Sequence, residues 1–415
     1  MKQTYRKLII SIFTLIAVSS AWAAKEKPAV SEKETPQKPP VIMWQYEFPE
    51  NYSLMDIEMT PDGRWIVVGL ASRDEKILPR GYVYLFKKNG QLEWKYTSEK
   101  YVVWNVDIAA CGEDGPVKGG IRVSAMADNG VIIFDRKGRV WKNIEYFTDL
   151  YDMSGNGNYF LMSSDDVFKS VAYDINGNLL WSKGFDNPIG NPAIFSEPLP
   201  VGYPLIVGDV KKNNDDNLLF VLLGDIHFSP GNKVYNKNGD ILWDGGKQWL
   251  IRSVSRDGET FVLSKSTDFI HEDIRVIDWK TKNILWEKKG TEINYGIFVS
   301  GNGETILLPD VTGIGNSYYR FYTRKGKLIW EKEMDGYGPA LTGNGKYFIE
   351  EMPYGISFYD IEEGKKLWDL KVEIKAPDVK VTRDGKYIAV YIKDGKFYFI
   401  KNTGINNCDD KENEE

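Results

Sequence analysis

The stretch NGNLLWSK, residues 176–183, reads as a tight turn followed by a short apolar strand, and the chain writes nearly the same phrase again and again. NGQLEWKY ends at Tyr96, NGDILWDG at Gly245, KNILWEKK at Lys289 and KGKLIWEK at Lys332. A catalytic motif is usually written once, so repetition on this scale points to architecture. The tryptophan recurs as Trp44, Trp94, Trp141, Trp181, Trp243, Trp286, Trp330 and Trp368, at gaps of 50, 47, 40, 62, 43, 44 and 38 residues. Such intervals hold four short strands and their turns.

A second phrase lies about midway between the tryptophans: MTPDGRWIVVG from Met59, MSGNGNYFLMS from Met153, VSRDGETFVLS from Val254, VSGNGETILLP from Val299, LTGNGKYFIEE from Leu341 and VTRDGKYIAVY from Val381. Asp-Gly and Asn-Gly reach the positive φ that tight hairpins require, and β-branched or aromatic residues follow them. A third element precedes each tryptophan: an apolar run such as YVYLF at 82–86, VIIF at 131–134, YYRFY at 318–322 or ISFYD at 356–360, then a turn. Gly90, Gly177, Gly239, Gly326 and Gly364 stand four residues before their tryptophan, Gly138 stands three before, and Lys282 takes the glycine's place in its unit.

Each unit is therefore a four-stranded antiparallel meander, and the fold class is all-β. After Trp368 the chain supplies three more strands, in APDVKVTRDGKYIAVYIKDGKFYFIKNTG, and stops at Gly404 without a Trp strand; VIMWQYEF at 41–48 is a Trp strand with no unit before it. Pairing the two ends removes the open edges. The expectation is an eight-bladed β-propeller over 41–404 closed by its N-terminal strand, with seven blades as the alternative if the irregular unit from Ser182 to Trp243 or the one from Lys95 to Trp141 is divided differently.

The first residues, MKQTYRKLIISIFTLIAVSSAWAAKEK, place Lys2, Arg6 and Lys7 before the apolar run Leu8 to Val18, with small residues at Ala21 and Ala23. That is the layout of a secretory signal peptide, residues 1–23, cleaved after Ala23. Residues 24–40, rich in Lys, Glu and Pro, read as a flexible linker, and 405–415 as an acidic disordered tail. Losing the signal removes three positive charges and moves the formal charge from −6 to −9. The expectations are a periplasmic or secreted protein, with no attraction for nucleic acid and no stable membrane insertion after cleavage. Cys111 and Cys408 are compatible with one disulfide, and neither has the spacing of a redox or haem motif.

The G-x-x-x-W ending of each unit resembles the repeat of pyrroloquinoline-quinone-type propellers, and the resemblance runs over nearly everything from Val41 to Gly404. It implies a strand-four tryptophan packed between neighbouring blades. The chain departs from the family's fuller repeat, in which Ala-x-Asp-x-x-Thr-Gly leads into the tryptophan; here the lead is apolar and aromatic, as in YLFKKNGQLEW. The family's best-known enzymes are quinone-dependent dehydrogenases, which need calcium, an aspartate base and commonly adjacent cysteines; the last are absent and no acid stands out from the turn and surface acids.

His227 and His271 are the only histidines and lie far apart, which leaves no zinc spacing and no His-based triad. KKNNDDN at 211–217 has too few regularly spaced carboxylates for a calcium loop, and the glycines of GNGE at 301–304 and TGIGNS at 312–317 precede no helix that could aim at a phosphate. No catalytic residue, cofactor site or metal site is assigned. The connections from each Trp strand into the next unit carry Tyr52, Trp104, Tyr146, Trp249, Tyr295 and Tyr337, rigid aromatics suited to anchoring a protein or cell-envelope partner. The sequence thus favours an exported, non-enzymatic scaffold, similar in this respect to the propeller lipoprotein of the outer-membrane β-barrel assembly machinery but without its lipid-bearing cysteine. A quinone- or sugar-binding channel is the alternative.

Overall fold

The computed structural model describes residues 39–72, 74, 76, 78–110, 120–146, 148, 150–164, 169–184, 203–207, 218–223, 233–245, 249–267, 271–292, 296–311, 317–336, 338–371, 378–392, 395–403 and 405. They fold into eight four-stranded antiparallel sheets, and none of them lies in a helix long and apolar enough to cross a membrane. Seven sheets are consecutive meanders: blade 1 at 52–98, blade 2 at 103–145, blade 3 at 150–184, blade 4 at 203–244, blade 5 at 250–292, blade 6 at 298–333 and blade 7 at 338–371. Blade 8 takes three strands from 378–401 and its fourth from Val41–Glu47, which pairs antiparallel with Lys396–Lys401. The seven-blade alternative is excluded, and the irregular stretch between Ser182 and Trp243 contains one complete blade.

The ring closes where blade 8 meets blade 1, in a core of Ile57, Ile66, Val68, Tyr84 and Phe86 from one side and Tyr387, Phe397 and Phe399 from the other. Because strands alternate in direction, the turns joining strands one to two and three to four share one end of the ring, here the turn face. The connections joining two to three, and four to the next blade, share the other, the loop face.

The Asp/Asn-Gly phrases make the strand one to two turns, and their Ser or Thr is buried within them. Thr342 Oγ1 donates to Asn344 Oδ1 at 2.7 Å and accepts from the Tyr347 N–H at 3.0 Å. Thr60, Ser154, Ser255, Ser300 and Thr382 repeat the arrangement with Asp62, Asn156, Asp257, Asn302 and Asp384. The turns also bond one another: the N–H of Asp257 donates to Gly301, Asn302 to Gly343, Asn344 to Arg383 and Arg383 to Pro61, at 3.2, 2.9, 2.9 and 3.2 Å. A belt of backbone hydrogen bonds thus runs from blade 5 to blade 1 across the turn face.

The G-x-x-x-W phrase performs two tasks. Its glycine turns the chain with positive φ, +84° at both Gly90 and Gly326, a region that side-chain-bearing residues rarely enter. It also lies on the tryptophan of the preceding blade. A Cβ built on Gly326 would stand 2.6 Å from Cγ of Trp286, and one on Gly90 2.7 Å from Cγ of Trp44. The indole N–H of each tryptophan donates into the same turn, Trp286 to the Arg324 carbonyl at 3.1 Å and Trp44 to that of Lys88 at 2.9 Å. Gly138, Gly239 and Gly364 also lie on the rings of Trp94, Trp181 and Trp330, but the indole N–H groups of Trp94 and Trp181 are buried without a hydrogen-bond partner. Blade 8 has no covalent turn between its third and fourth strands, and there the Asn402 side chain accepts from Trp368 Nε1 at 2.9 Å. Lys282, standing where glycine would, keeps the positive φ at 60°.

Trp141 departs from the expected packing. In most blades the register slips by one residue just before the tryptophan: Phe86 pairs with Leu92 and Leu85 with Trp94, leaving Glu93 in the bulge. In blade 2 Phe134 pairs with Val140 and Ile133 with Lys142, so Trp141 itself occupies the bulge. It is 51% exposed, with the Arg122 guanidinium 5.6 Å from its ring centroid. The Lys142 side chain takes the place under Gly177. The three-residue spacing from Gly138, one short of the rule, is the sequence trace of this slip.

Two buried carboxylates add ionic contacts between blades. In the WEK triplets at 286–288 and 330–332, Lys288 Nζ donates to Asp310 of blade 6 at 2.9 Å and Lys332 Nζ to Glu350 of blade 7 at 2.8 Å.

Trp181, 6% exposed against Phe220 and Tyr235, and Trp141 form a matched pair for a stability test. Trp181→Ala is expected to cost about 3–5 kcal/mol and Trp141→Ala under about 1 kcal/mol, read from urea unfolding curves. Equal losses would contradict the assignment of the two positions.

Candidate functional site

The loop face collects the connections on which the sequence placed its aromatic candidates. Trp104, at the start of blade 2's inner strand, is half-buried, and its Nε1 donates to Asp128 Oδ1 at 2.8 Å. The other oxygen of Asp128 accepts from the Val102 N–H at 3.0 Å, so the carboxylate ties indole and backbone together. Tyr146 leaves the same blade's outer strand and packs on the same apolar cluster as Trp104, around Tyr151, Met153 and Phe160. Trp249 enters blade 5, half-buried on the cluster of Ile251, Phe261 and Leu263, with the Arg275 guanidinium 3.9 Å from its ring centroid. Arg275 is held in turn by Glu287 at 2.5 Å. The structure therefore brings Trp104 and Tyr146 together and sets Trp249 apart from them.

Tyr52 is not a surface anchor. It is 7% exposed, its ring centroid lies 4.7 Å from that of Tyr82, and its hydroxyl donates to the Pro79 carbonyl at 2.6 Å. The hairpin carrying Pro79 folds over it, an interaction invisible in a list of residues that begin strands. Tyr295 and Tyr337 lie outside the described residues, as do Cys111, Cys408, His227 and the acidic loop 211–217. His271 is half-exposed, and its carbonyl accepts from the Thr267 N–H at 2.9 Å.

Two exposed apolar side chains on the loop face escaped the sequence reading. Tyr354 is 75% exposed at the tip of blade 7's middle hairpin, where Met352 pairs with Gly355, and Leu78 is 62% exposed in the corresponding connection of blade 1. Both belong to strand two to three connections, whereas the candidates came only from links between blades. The signal was present in MPYG at 352–355, a two-residue hairpin loop bearing an aromatic.

The inner strands carry acids on adjacent blades: Asp56 and Glu58 on blade 1, Asp107 on blade 2 and Asp152 on blade 3. Asp56 Oδ2 accepts from the Val106 N–H of blade 2 at 3.2 Å, and Asp107 Oδ2 accepts from the Met153 N–H of blade 3 at 3.1 Å. Lys380 of blade 8 reaches Glu58 at 2.6 Å and Asp56 at 3.8 Å. Asp56, Glu58 and Asp107 therefore join inner strands of neighbouring blades. Burial, then the charges of Asp152 and Glu58, push the Asp107 carboxyl up to about 8, against the opposing pull of Arg256 and the Met153 N–H. Among the described residues no group of three or more His, Cys, Asp or Glu is placed to hold a metal ion.

No family model matches the chain, and no curated protein matches it. Among solved structures it is similar to the Dos1 propeller, at 9% identity over 88% of this chain and 96% of that one, with a TM-score of 0.58. The Cps50 (Swd1) β-propeller domain of Myceliophteria thermophila aligns at 10% identity over 88% of this chain and 99% of that one, with a TM-score of 0.48. At such identity the first likeness shows the β-propeller fold alone.

The raised Asp107 pKa sets the sign of a pH dependence. Between the usual carboxylate range and about 8 the folded state holds a proton that the unfolded chain has released, so this group's contribution to stability falls as pH rises through that window. Asp107→Asn removes the titration and keeps an acceptor for Met153. The difference in urea midpoint between variant and wild type is expected to shift in the variant's favour from pH 5 to pH 8. Parallel midpoints would show that Asp107 does not titrate in this window.

Proposed function

We propose that the chain is an exported, non-catalytic propeller that holds a protein or cell-envelope component on its loop face. The observation that carries this reading is the pair Trp104 and Trp249, each half-exposed on that face and each fixed by a polar partner of its own, Asp128 and Arg275. An aromatic already held in place brings a large contact area and loses little conformational entropy on binding. Tyr354 and Leu78 add exposed apolar area on the same face. The inner-strand acids support the scaffold reading from the other side, since Asp56 and Asp107 are engaged with the backbone of neighbouring strands.

Kinship with pyrroloquinoline-quinone-type repeats rests on G-x-x-x-W, whose glycine and tryptophan meet between blades as that repeat implies. Export to the periplasm or beyond rests on residues 1–23 and is supported by their charged, apolar and small-residue segments. Intact-mass analysis of protein from the native envelope should give a chain that begins at Ala24, and retention of residues 1–23 would contradict export by cleavage.

Binding is tested by crosslinking and affinity purification from the native envelope with three proteins: wild type, Trp104→Ala/Trp249→Ala, and Trp141→Ala. A defined partner is expected with wild type and Trp141→Ala and is expected to be lost with the double variant while that variant remains folded. Retention by a folded double variant would overturn the loop-face assignment. A quinone absorbance band with calcium-dependent dye-linked dehydrogenase activity would overturn the non-catalytic one.

A further inference from the structure

The face of blade 5 that meets blade 6 changes character along its length. In the middle, Val262, Ile274 and Val276 pack against Ile306 and Leu308. Toward the loop face the same rows turn polar: Ser264 pairs with Ile274, and Glu272 pairs with Thr291 one row farther on. Strand alternation puts Ser264, Glu272 and Thr291 on one side of the sheet, and directly opposed side chains such as Glu272 and Thr291 are neighbours at about 5 Å. All three are buried, at 0%, 4% and 2% exposure.

Ser264 Oγ, Glu272 Oε2 and Thr291 Oγ1 make no hydrogen bond to protein. Arg252 approaches only the other oxygen of Glu272, at 3.7 Å. The neighbouring cations are engaged elsewhere: Lys288 donates to Asp310 at 2.9 Å and to the Tyr322 hydroxyl at 3.2 Å, and Arg320 bonds Asp310 and Glu331. Glu350 of blade 7 makes the contrast. Both its oxygens are satisfied, by the N–H groups of Asp335 and Gly336, by Lys332 and by the Tyr359 hydroxyl. A buried carboxylate oxygen and two buried hydroxyls without partners, gathered on one patch, are costly unless something bridges them.

We propose that Ser264, Glu272 and Thr291 form an internal site for a small neutral hydrogen-bonding molecule, ordered water, between blades 5 and 6. One water donates to Glu272 Oε2 and accepts from the hydroxyl of Thr291, its direct cross-strand neighbour; Ser264 stands on the other side of the Glu272 strand, about 10 Å from Thr291, and meets the same carboxylate through a water of its own. The surrounding charges select neutrality. Arg252, Lys288 and Arg320 stand against Glu272, Asp310 and Glu331, three charges to three, a balance that favours neither a metal ion or ammonium nor an anion.

Two measurements on the full chain test the site. A crystal structure that resolves waters should show a peak about 2.7–3.2 Å from Glu272 Oε2 with Ser264 or Thr291 as a second partner. An empty site with Glu272 paired directly to Arg252, or a metal at this position identified by anomalous scattering, would overturn the proposal. Thr291→Val keeps the shape and removes the hydroxyl, so its sign discriminates. A bridged hydroxyl predicts a lower melting temperature for the folded variant; an unbonded one predicts an unchanged or higher temperature, which would count against the bridge.

Discussion

The contact on which the ring depends is that between a tryptophan and the turn glycine of the next blade. A propeller blade cannot bury its own faces, so stability comes from what adjacent sheets share. Here the outer edge of five interfaces is set by an indole ring with a backbone turn lying on it, close enough that a Cβ on Gly326 would stand 2.6 Å from Trp286. This explains why glycine and tryptophan recur together at a fixed spacing. The tryptophan serves the next interface and the glycine the previous one, so each phrase is half of two contacts. Where the pattern varies, the contact is kept by other means: Lys142 lies under Gly177, and Asn402 receives Trp368 where the chain has no turn.

The same constraint divides the molecule into a committed face and a freer one. On the turn face the buried hydroxyls of the Asp/Asn-Gly turns and the backbone belt from blade 5 to blade 1 leave little latitude for change. Loop-face connections carry no such repeat. They vary in length and composition, and they hold Trp104, Trp249, Tyr354 and Leu78 in four different local settings. Recognition on a repeat scaffold belongs where the repeat does not dictate the residue.

Blade number, the closing role of Val41–Glu47 and the turn positions were legible in the sequence because each follows from local, periodic chemistry: an Asp-Gly or Asn-Gly pair in one hairpin of a unit, and in the other a glycine with a tryptophan four residues after it. Trp141 shows the limit of counting tryptophans, since one missing residue after Gly138 exchanged its place with Lys142. Tyr52 was misplaced because its burial depends on the hairpin at Pro79, and position in a strand says nothing of what folds over it. The buried carboxylates Asp310, Glu350 and Glu272 were hidden for a related reason. Asp310 and Glu350 find their lysines on the preceding blade, 22 and 18 residues away, with no spacing shared between the pairs. Of the candidate site, Trp104 and Trp249 were legible as aromatics in links; Asp128 and Arg275, which hold them, came only with the folded sheet.

A double-mutant cycle between Gly326 and Trp286 tests the central contact most directly. Alanine at 326 meets two penalties, a positive φ that a side chain disfavours and a clash with the indole ring. In the wild-type background Gly326→Ala should cost about 2–4 kcal/mol by urea unfolding, and in the Trp286→Ala background only the backbone share, about 1 kcal/mol. An equal cost in both backgrounds would mean that the glycine serves its own turn alone, and that the blades are held together by something other than the contact between them.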